Sequence, residues 1–259
     1  MISRHSSAAH GKKPYVSIVI PAYNEEENIA LCLASLLRQT TSVSMEVIVV
    51  DNNSKDRTMK MAEKFRDILQ LRVLKEKKQG RGAARRTGFA VARGDIIFST
   101  DADAILPPTW VEKYLARLKK SAKVVAVTGV PAIQEFDQLK NTAFNLSVAQ
   151  FLKMNYLVYG HPGLSGFGFA IKKWAYEAAG GFDPVVDCYE DLDLAQRVHK
   201  IGKIVMVNDP PVTFSGRRFE DGLFKGWAEY MKTFRDMYIL KKKRVLLSNP
   251  RAKKSGHKK

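Results

Sequence analysis

The sequence predicts an α/β fold, a Rossmann-like and mainly parallel sheet flanked by helices, with a mixed second half. Two observations carry this expectation. Short β-branched runs alternate with amphipathic helical segments from Val16 to Asp103, and three of those runs stop at loops that carry acidic residues. Strands joined in this way take right-handed crossovers into a parallel sheet, whose ligand loops gather at the carboxyl ends of the strands.

The first run, Val16-Ser-Ile-Val-Ile20, is expected to end at Pro21. A helix should follow, capped by Asn24 with Glu27 three residues on, its apolar face formed by Ile29, Leu33, Leu36 and Leu37. Glu46 to Val50 reads as the second strand, ending at Asp51. After the polar turn Asn52 to Ser54 the next helix repeats Met61, Phe65, Ile68 and Leu69. Leu71 to Leu74 is a third strand, Gly82 to Ala92 a third helix, and Ile96 to Ser99 a fourth strand ending at Asp101. Trp110 to Lys120 reads as a helix and Val124 to Gly129 as a strand. Gln138 to Tyr159 is a mixed stretch, His161 to Phe169 is glycine-rich, and a helix runs from near Glu190 to Gly202.

The 259 residues suffice for one good core, and no apolar run is long enough for a membrane-spanning helix. Met1 to Lys13 lacks the apolar run of a secretory signal, so a cytoplasmic protein is expected. Cys32 and Cys188 belong to no metal-binding or redox spacing and read as free thiols. The formal net charge of +17 points to an anionic partner, with much of it in the tail from Lys241 to Lys259. That tail reads as a solubilising surface arm or as a peripheral contact with anionic membrane. No zinc spacing, aromatic RNA-binding motif or helix-turn-helix supports nucleic acid as a partner, and acidic strand ends repel phosphate unless a metal intervenes.

Asp101-Ala-Asp103 places two carboxylates on alternate residues of a turn. Such a pair suits Mn²⁺ or Mg²⁺, hard cations that keep coordination sites open for diphosphate oxygens. Asp51 and Glu25 close other loops on the same edge. Asp51 can accept hydrogen bonds from a base or ribose, or cap its own turn through Asn53 or Ser54. Gly80 to Gly88 combines glycines with Arg81 and Arg85 at a helix start, where backbone N–H groups and the helix dipole favour phosphate. Its spacing is neither that of a Walker A loop nor GxGxxG.

The segments VSIVIPAYNEEENI, EVIVVDNNSKDRT and GRGAARRTGFAVARGDIIFSTDAD resemble the family-2 glycosyltransferases of the GT-A fold. Gly181-Phe182-Asp183 and Glu190-Asp-Leu-Asp-Leu-Ala-Gln-Arg197 extend the resemblance. It implies an inverting transfer of a sugar from a nucleotide-diphosphate donor, such as a UDP- or GDP-sugar, to a hydroxyl of a sugar or lipid-linked acceptor, as in cell-envelope glycan or glycolipid synthesis, while departures from the family pattern favour a single addition. It further implies that Pro21, Tyr23, Glu25, Asp51, Arg81, Arg85, Asp101 and Ala102 bind the nucleotide sugar, and that Asp103 and Asp101 hold a divalent metal. Asp191 would be the general base, a role typically worth about 10²–10⁴-fold, with Glu190 beside it. Alternatively both carboxylates simply favour the first turn of their helix. Gly166, Arg217 and Arg218 are candidate diphosphate or acceptor contacts.

On this basis residues 1–13 form a flexible N-terminus and residues 14–215 the glycosyltransferase domain. Within it, about 14–105 is the nucleotide-sugar half and about 106–215 the acceptor half, with a basic helix and tail at 216–259. In that last segment Trp227, Tyr230, Phe234, Met237 and Tyr238 form an aromatic stripe, a core face or a lipid-facing one. Two departures from the family pattern matter. Arg86 stands where many members have Asn, and Gln196-Arg197-Val198 lacks the tryptophan of processive synthases. A nucleotidyltransferase that makes sugar nucleotides would need a glycine-rich loop after the first strand, where this chain has Pro21-Ala-Tyr-Asn-Glu-Glu26. A basic binding module without catalysis leaves the acidic strand ends unexplained.

Overall fold

The structure, a computed structural model, describes residues 13–133, 138–186 and 189–215 and the single positions Ala228, Met231, Lys232 and Arg235. Cys188, Arg217, Arg218, the Trp227 to Tyr238 stripe and the lysine-rich tail lie outside the described residues.

The first half is built from β1 (Val16–Ala22), α1 (Ile29–Leu37), β2 (Met45–Asp51), α2 (Thr58–Glu63), β3 (Leu71–Lys75), α3 (Arg81–Val91) and β4 (Ile96–Ser99). Then come β5 (Ala104–Ile105), α4 (Trp110–Lys119), β6 (Val124–Ala132), α5 (Gln138–Tyr159), β7 (Phe169–Lys172), α6 (Lys173–Ala178), α7 (Glu190–His199) and β8 (Lys203–Phe214). All strands join one sheet in the order β3-β2-β1-β4-β7-β6-β8-β5. The pairs among β1 to β4 are parallel, as expected. β7 runs antiparallel to both β4 and β6, so the second half is mixed.

Period-two alternation divides the core between the two faces of the sheet. Val16, Ile18 and Ile20 of β1 face α1 and α4, joining Leu33, Leu36, Trp110 and Tyr114. Val19, Ile48 and Val50 face the other way, toward Ala84 and Phe89 of α3, Tyr176 of α6 and Leu194 of α7. α3 lies close on this face because Gly88 has no side chain. A Cβ there would overlap Val19 Cγ1 and lie 3.1 Å from Val50 Cγ2. Gly88→Ala is therefore expected to lower stability by about 1–3 kcal/mol through overpacking, less the roughly 1 kcal/mol gained in helix propensity. Urea unfolding of the variant and the wild type measures the difference.

The structure corrects several boundaries. β1 does not stop at Pro21, which pairs in register with Val50 while Ala22 pairs with Asp51. Val19 accepts a hydrogen bond from Thr100 N–H, so its side of the backbone turns toward β4, whereas Ala22 accepts from Asn52 N–H on the β2 side. Pro21 shares the parity of Val19, and β4 has already ended there. Its missing N–H removes no ladder bond.

Asn24 is not a helix cap. It sits at φ 52°, donates its N–H to Ser54 Oγ and accepts from Lys55 N–H. α1 begins at Ile29, and the Glu25 carbonyl accepts from the N–H groups of Asn28 and Ile29. Met61 to Leu69 is not one continuous helix face, since α2 ends at Glu63 and Ile68 is exposed. Gln138 to Tyr159 is a single helix, not a mixed stretch. Its inner face of Phe144, Val148 and Leu152 packs with Ile133, Val130, Met206 and Phe214, but Leu139, Leu146 and Leu157 are exposed and Asn155 is buried, and this mixing erases the periodic signal.

Candidate active site

Four loop regions converge at the carboxyl ends of β1, β2 and β4. Asp51, buried at the end of β2, accepts from Ser54 N–H at 3.3 Å, so it does cap its own turn through one oxygen. Asn52 beside it is a positioning residue that no motif in the polar turn Asn52 to Ser54 marks. Its side chain donates to the carbonyls of Glu76 and Lys78 and accepts from Gly80 N–H at 2.7 Å, tying β2 to the start of α3. Glu25 is buried, with Oε2 accepting from Asn28 Nδ2 at 2.9 Å and its N–H donating to Thr58 Oγ1. Pro21 is buried, Tyr23 is half-buried beside them, and Arg81 is exposed at the first position of α3.

Asp101, Ala102 and Asp103 form the turn between β4 and β5, with the carbonyl of Asp101 accepting from Ala104 N–H. Ala102 is buried, while both aspartates remain partly exposed. Beneath the turn lies the free thiol of Cys32, 3.5 Å from the Asp101 carbonyl. Burial first, and then the negative charges of Asp103 and Asp101, push that thiol well above its ordinary range, so the fields of both carboxylates overlap at this point. Among the described residues no group of three His, Cys, Asp or Glu side chains forms a closed metal cage. Two carboxylates on an open turn nonetheless fit the donor set of a Mg²⁺-like cation, which takes one or two carboxylates and completes its shell with water and substrate phosphates.

Arg85 is the centre of the arrangement. It points inward from α3 and is only 1% exposed. Its Nη2 donates to Asp101 Oδ1 at 2.5 Å, its Nη1 to Glu190 Oε1, and its Nε to Ser99 Oγ at 3.2 Å. One guanidinium thus joins the β4–β5 turn to the start of α7. The pattern of glycines and cations marked this segment as a phosphate site, but only the packing of α3 shows that Arg85 is turned away from solvent while Arg81 is not.

Asp191 lies one residue further along α7. Its Oδ2 accepts from Gly166 N–H at 2.7 Å. Burial, and then the charge of Glu190, raise its carboxyl to about 6, against the opposing pull of Arg85, the Gly166 N–H and Arg81. The loop that carries Gly166 is fixed at both ends. Ser165 N–H donates to Thr128 Oγ1, and Thr100 Oγ1 donates to the Phe167 carbonyl at 2.8 Å. A Cβ at position 166 would run into the Arg85 guanidinium, so any side chain there would have to displace that group from its carboxylate partners. Further along α7, Arg197 pairs with Asp193 and donates to the carbonyls of Ala179 and Gly181, anchoring the Gly-Gly turn before Phe182.

Residues 17–180 match the model of glycosyl transferase family 2. The chain belongs to this family. The family-2 glycosyltransferase is 32% identical over 149 residues to the glycosyltransferase AglE of Haloferax volcanii, covering 53% of this chain and 49% of that protein. It therefore spans about half the length of that curated relative. In fold it is similar to a mannosyltransferase of Pyrobaculum calidifontis solved with GDP-Man and Mn²⁺, with TM-score 0.64 and 23% identity over 86% of this chain and 65% of that one. It is also similar to residues 1–349 of S. aureus TarS solved with UDP-GlcNAc, with TM-score 0.60 and 18% identity over 76% of this chain and 57% of that one. The mixed sheet flanked by helices is of the GT-A type.

Proposed function

We propose that this glycosyltransferase moves a sugar from a UDP- or GDP-sugar to a hydroxyl of a sugar or lipid-linked acceptor, in one addition and with inversion at the anomeric carbon. The observation that carries the reading is the Arg85 clamp, which holds the Asp101-Ala-Asp103 turn and the Glu190-Asp191 helix start on one buried cation. Pro21, Tyr23, Glu25, Asp51, Arg81 and Ala102 line the strand ends where the nucleoside and diphosphate would lie. Asp101 and Asp103 would hold Mn²⁺ or Mg²⁺, which supplies positive charge against the leaving diphosphate.

Asp191 is the general base of this reading. Its carboxylate removes the proton of the acceptor hydroxyl as that oxygen bonds to the anomeric carbon. The bond from that carbon to the diphosphate oxygen breaks on the opposite face, and the nucleoside diphosphate carries away the electron pair. The Gly166 N–H fixes one carboxylate oxygen of Asp191 and leaves the carboxylate able to accept the proton. A carboxyl raised to about 6 is a stronger base than an ordinary aspartate yet is largely ionised at neutral pH. Gly166 is thus assigned to orienting the base, and Arg85 to joining the two acidic motifs, in place of direct contact with the diphosphate.

The test is thermal unfolding with UDP, GDP, CDP and dTDP, each with Mn²⁺ or with EDTA, on the wild type and on Asp103→Ala. One nucleotide should raise the melting temperature of the wild type in Mn²⁺ alone, by an amount that corresponds to about 2.7 kcal/mol at a hundredfold excess over Kd. Asp103→Ala should lose the shift. Absence of protection by every nucleotide under both conditions would overturn the donor site.

A further inference from the structure

A line of buried polar side chains runs down one side of α1. Cys32 and Ser35 are fully buried, and Gln39, just past the end of the helix, is 3% exposed. Spacings of three and four residues place the three above one another. Burying a hydroxyl or an amide is costly unless it finds a partner. Apart from carbonyls of α1 itself, the partners all lie in one short segment, residues 101–111. Cys32 Sγ is 3.5 Å from the Asp101 carbonyl. Ser35 Oγ donates to the Cys32 carbonyl at 2.6 Å and accepts from Leu106 N–H at 3.1 Å. The Gln39 amide donates to the Pro107 carbonyl at 2.9 Å and accepts from Val111 N–H at 3.1 Å. Thr40 N–H then donates to the Pro108 carbonyl at 2.9 Å.

This segment depends on outside partners. Residues 106–109 belong to no strand or helix, and Pro107 and Pro108 have no N–H to donate. α4 has no side-chain cap from Thr109, so the Gln39 side chain serves one of the N–H groups that its first turn leaves unpaired. The segment begins with the Asp101-Ala-Asp103 turn, and β5 after it is only two residues long. Arg85 holds the Asp101 carboxylate from the α3 face of the sheet, while α1 ties down the following backbone from the opposite face. A site made of two carboxylates binds a cation in proportion to the fraction of time that both are in place.

We propose that Ser35 and Gln39 are positioning residues for this turn, which set the place of Asp103 relative to Asp101 and so the affinity for a divalent cation. The inference rests on the reading of those two aspartates as the metal ligands. Neither Ser35 nor Gln39 touches the cation; each acts through the backbone that it holds, as partners behind metal ligands do.

The test is Mn²⁺ titration of the full chain in the presence of UDP, and again of GDP, read by thermal protection. Ser35→Ala and Gln39→Met keep the size of the side chain and remove the hydrogen bonds. Each should move the Mn²⁺ midpoint up by roughly tenfold, the lower end of the effect of such partners, with full protection regained at saturating Mn²⁺. Leu71→Ala, at the amino end of β3 and far from the turn, is the control for loss of stability. It should lower the urea midpoint and leave the Mn²⁺ midpoint unchanged. In EDTA, amide exchange should quicken at Leu106 in Ser35→Ala and at Val111 in Gln39→Met. Mn²⁺ midpoints equal to wild type in both variants would overturn the proposal, as would an equal shift in Leu71→Ala or unchanged exchange at both amides. A wild type that no nucleotide protects in Mn²⁺ would overturn the metal reading itself, and the positioning role with it, whereas the exchange result stands apart from the metal and shows which of the two has failed.

Discussion

Asp191→Asn should lower kcat/KM for sugar transfer by about 10²–10⁴-fold, the usual value of a positioned general base. Asparagine keeps the shape of the side chain, and its amide oxygen can still accept from Gly166 N–H, so the loop should stay in place. What it loses is the ability to take the acceptor proton. Nucleotide protection and the KM for the donor should therefore stay near their wild-type values, and the loss should fall on kcat. In the wild type, activity should rise with pH through an ascending limb near 6, because the deprotonated carboxylate is the working form and burial together with Glu190 places its titration there. Arg85 and Arg81 are the cations that act against that shift. Neutral asparagine should abolish this limb in the residual activity. An Asp191→Asn enzyme of wild-type kcat would remove Asp191 as the base.

Arg85→Gln should destabilise the fold by about 3–5 kcal/mol, since removing one partner of a buried ion pair leaves the other charge uncompensated. Glu190 is itself buried, and the same guanidinium serves Asp101. Much of the expected loss is thus the desolvation cost of a stranded carboxylate. The companion variant Arg85→Gln/Glu190→Gln should recover a large part of the stability, because neither side chain then carries an unpaired charge. Activity should not return, since neither glutamine can link the β4–β5 turn to α7 by a charge-assisted bond. Urea unfolding of the two variants, with kcat measured below their midpoints, separates these effects. If Arg85→Gln unfolds at the wild-type midpoint, the clamp is not buried in solution. If the double variant transfers sugar at the wild-type rate, the clamp has no part in positioning the site.

The parallel half of the fold was legible because its signals are local. β-branched runs at Val16, Glu46 and Ile96 and the helical spacing of Ile29, Leu33 and Leu36 survive translation into structure with boundary errors of a few residues. The errors arose where a neighbour decides. Pro21 reads as a strand breaker until one knows that the facing strand has already ended, and Asn24 reads as a cap until Ser54 and Lys55 are seen to hold it in a left-handed turn. α5 gave no periodic signal because its polar and apolar residues are not segregated: Asn155 is buried while Leu139, Leu146 and Leu157 are exposed, and such mixing leaves no helical period to read.

The sequence by itself determined the chemistry available at the strand ends: Asp51, the Asp101-Ala-Asp103 turn, the Arg81 to Arg85 segment and the Glu190-Asp191 pair all follow from spacing along the chain. Only the tertiary structure decided what those groups do to one another. Arg85 and Glu190 are 105 positions apart, and Gly166 and Asp191 are 25 apart. No local pattern encodes contacts of that range. Burial then gives them their force, because removing Arg85 and Glu190 from water makes their ion pair costly to break, and desolvation of the partly buried Asp191, with the charge of Glu190, raises its carboxyl toward the range of a working base.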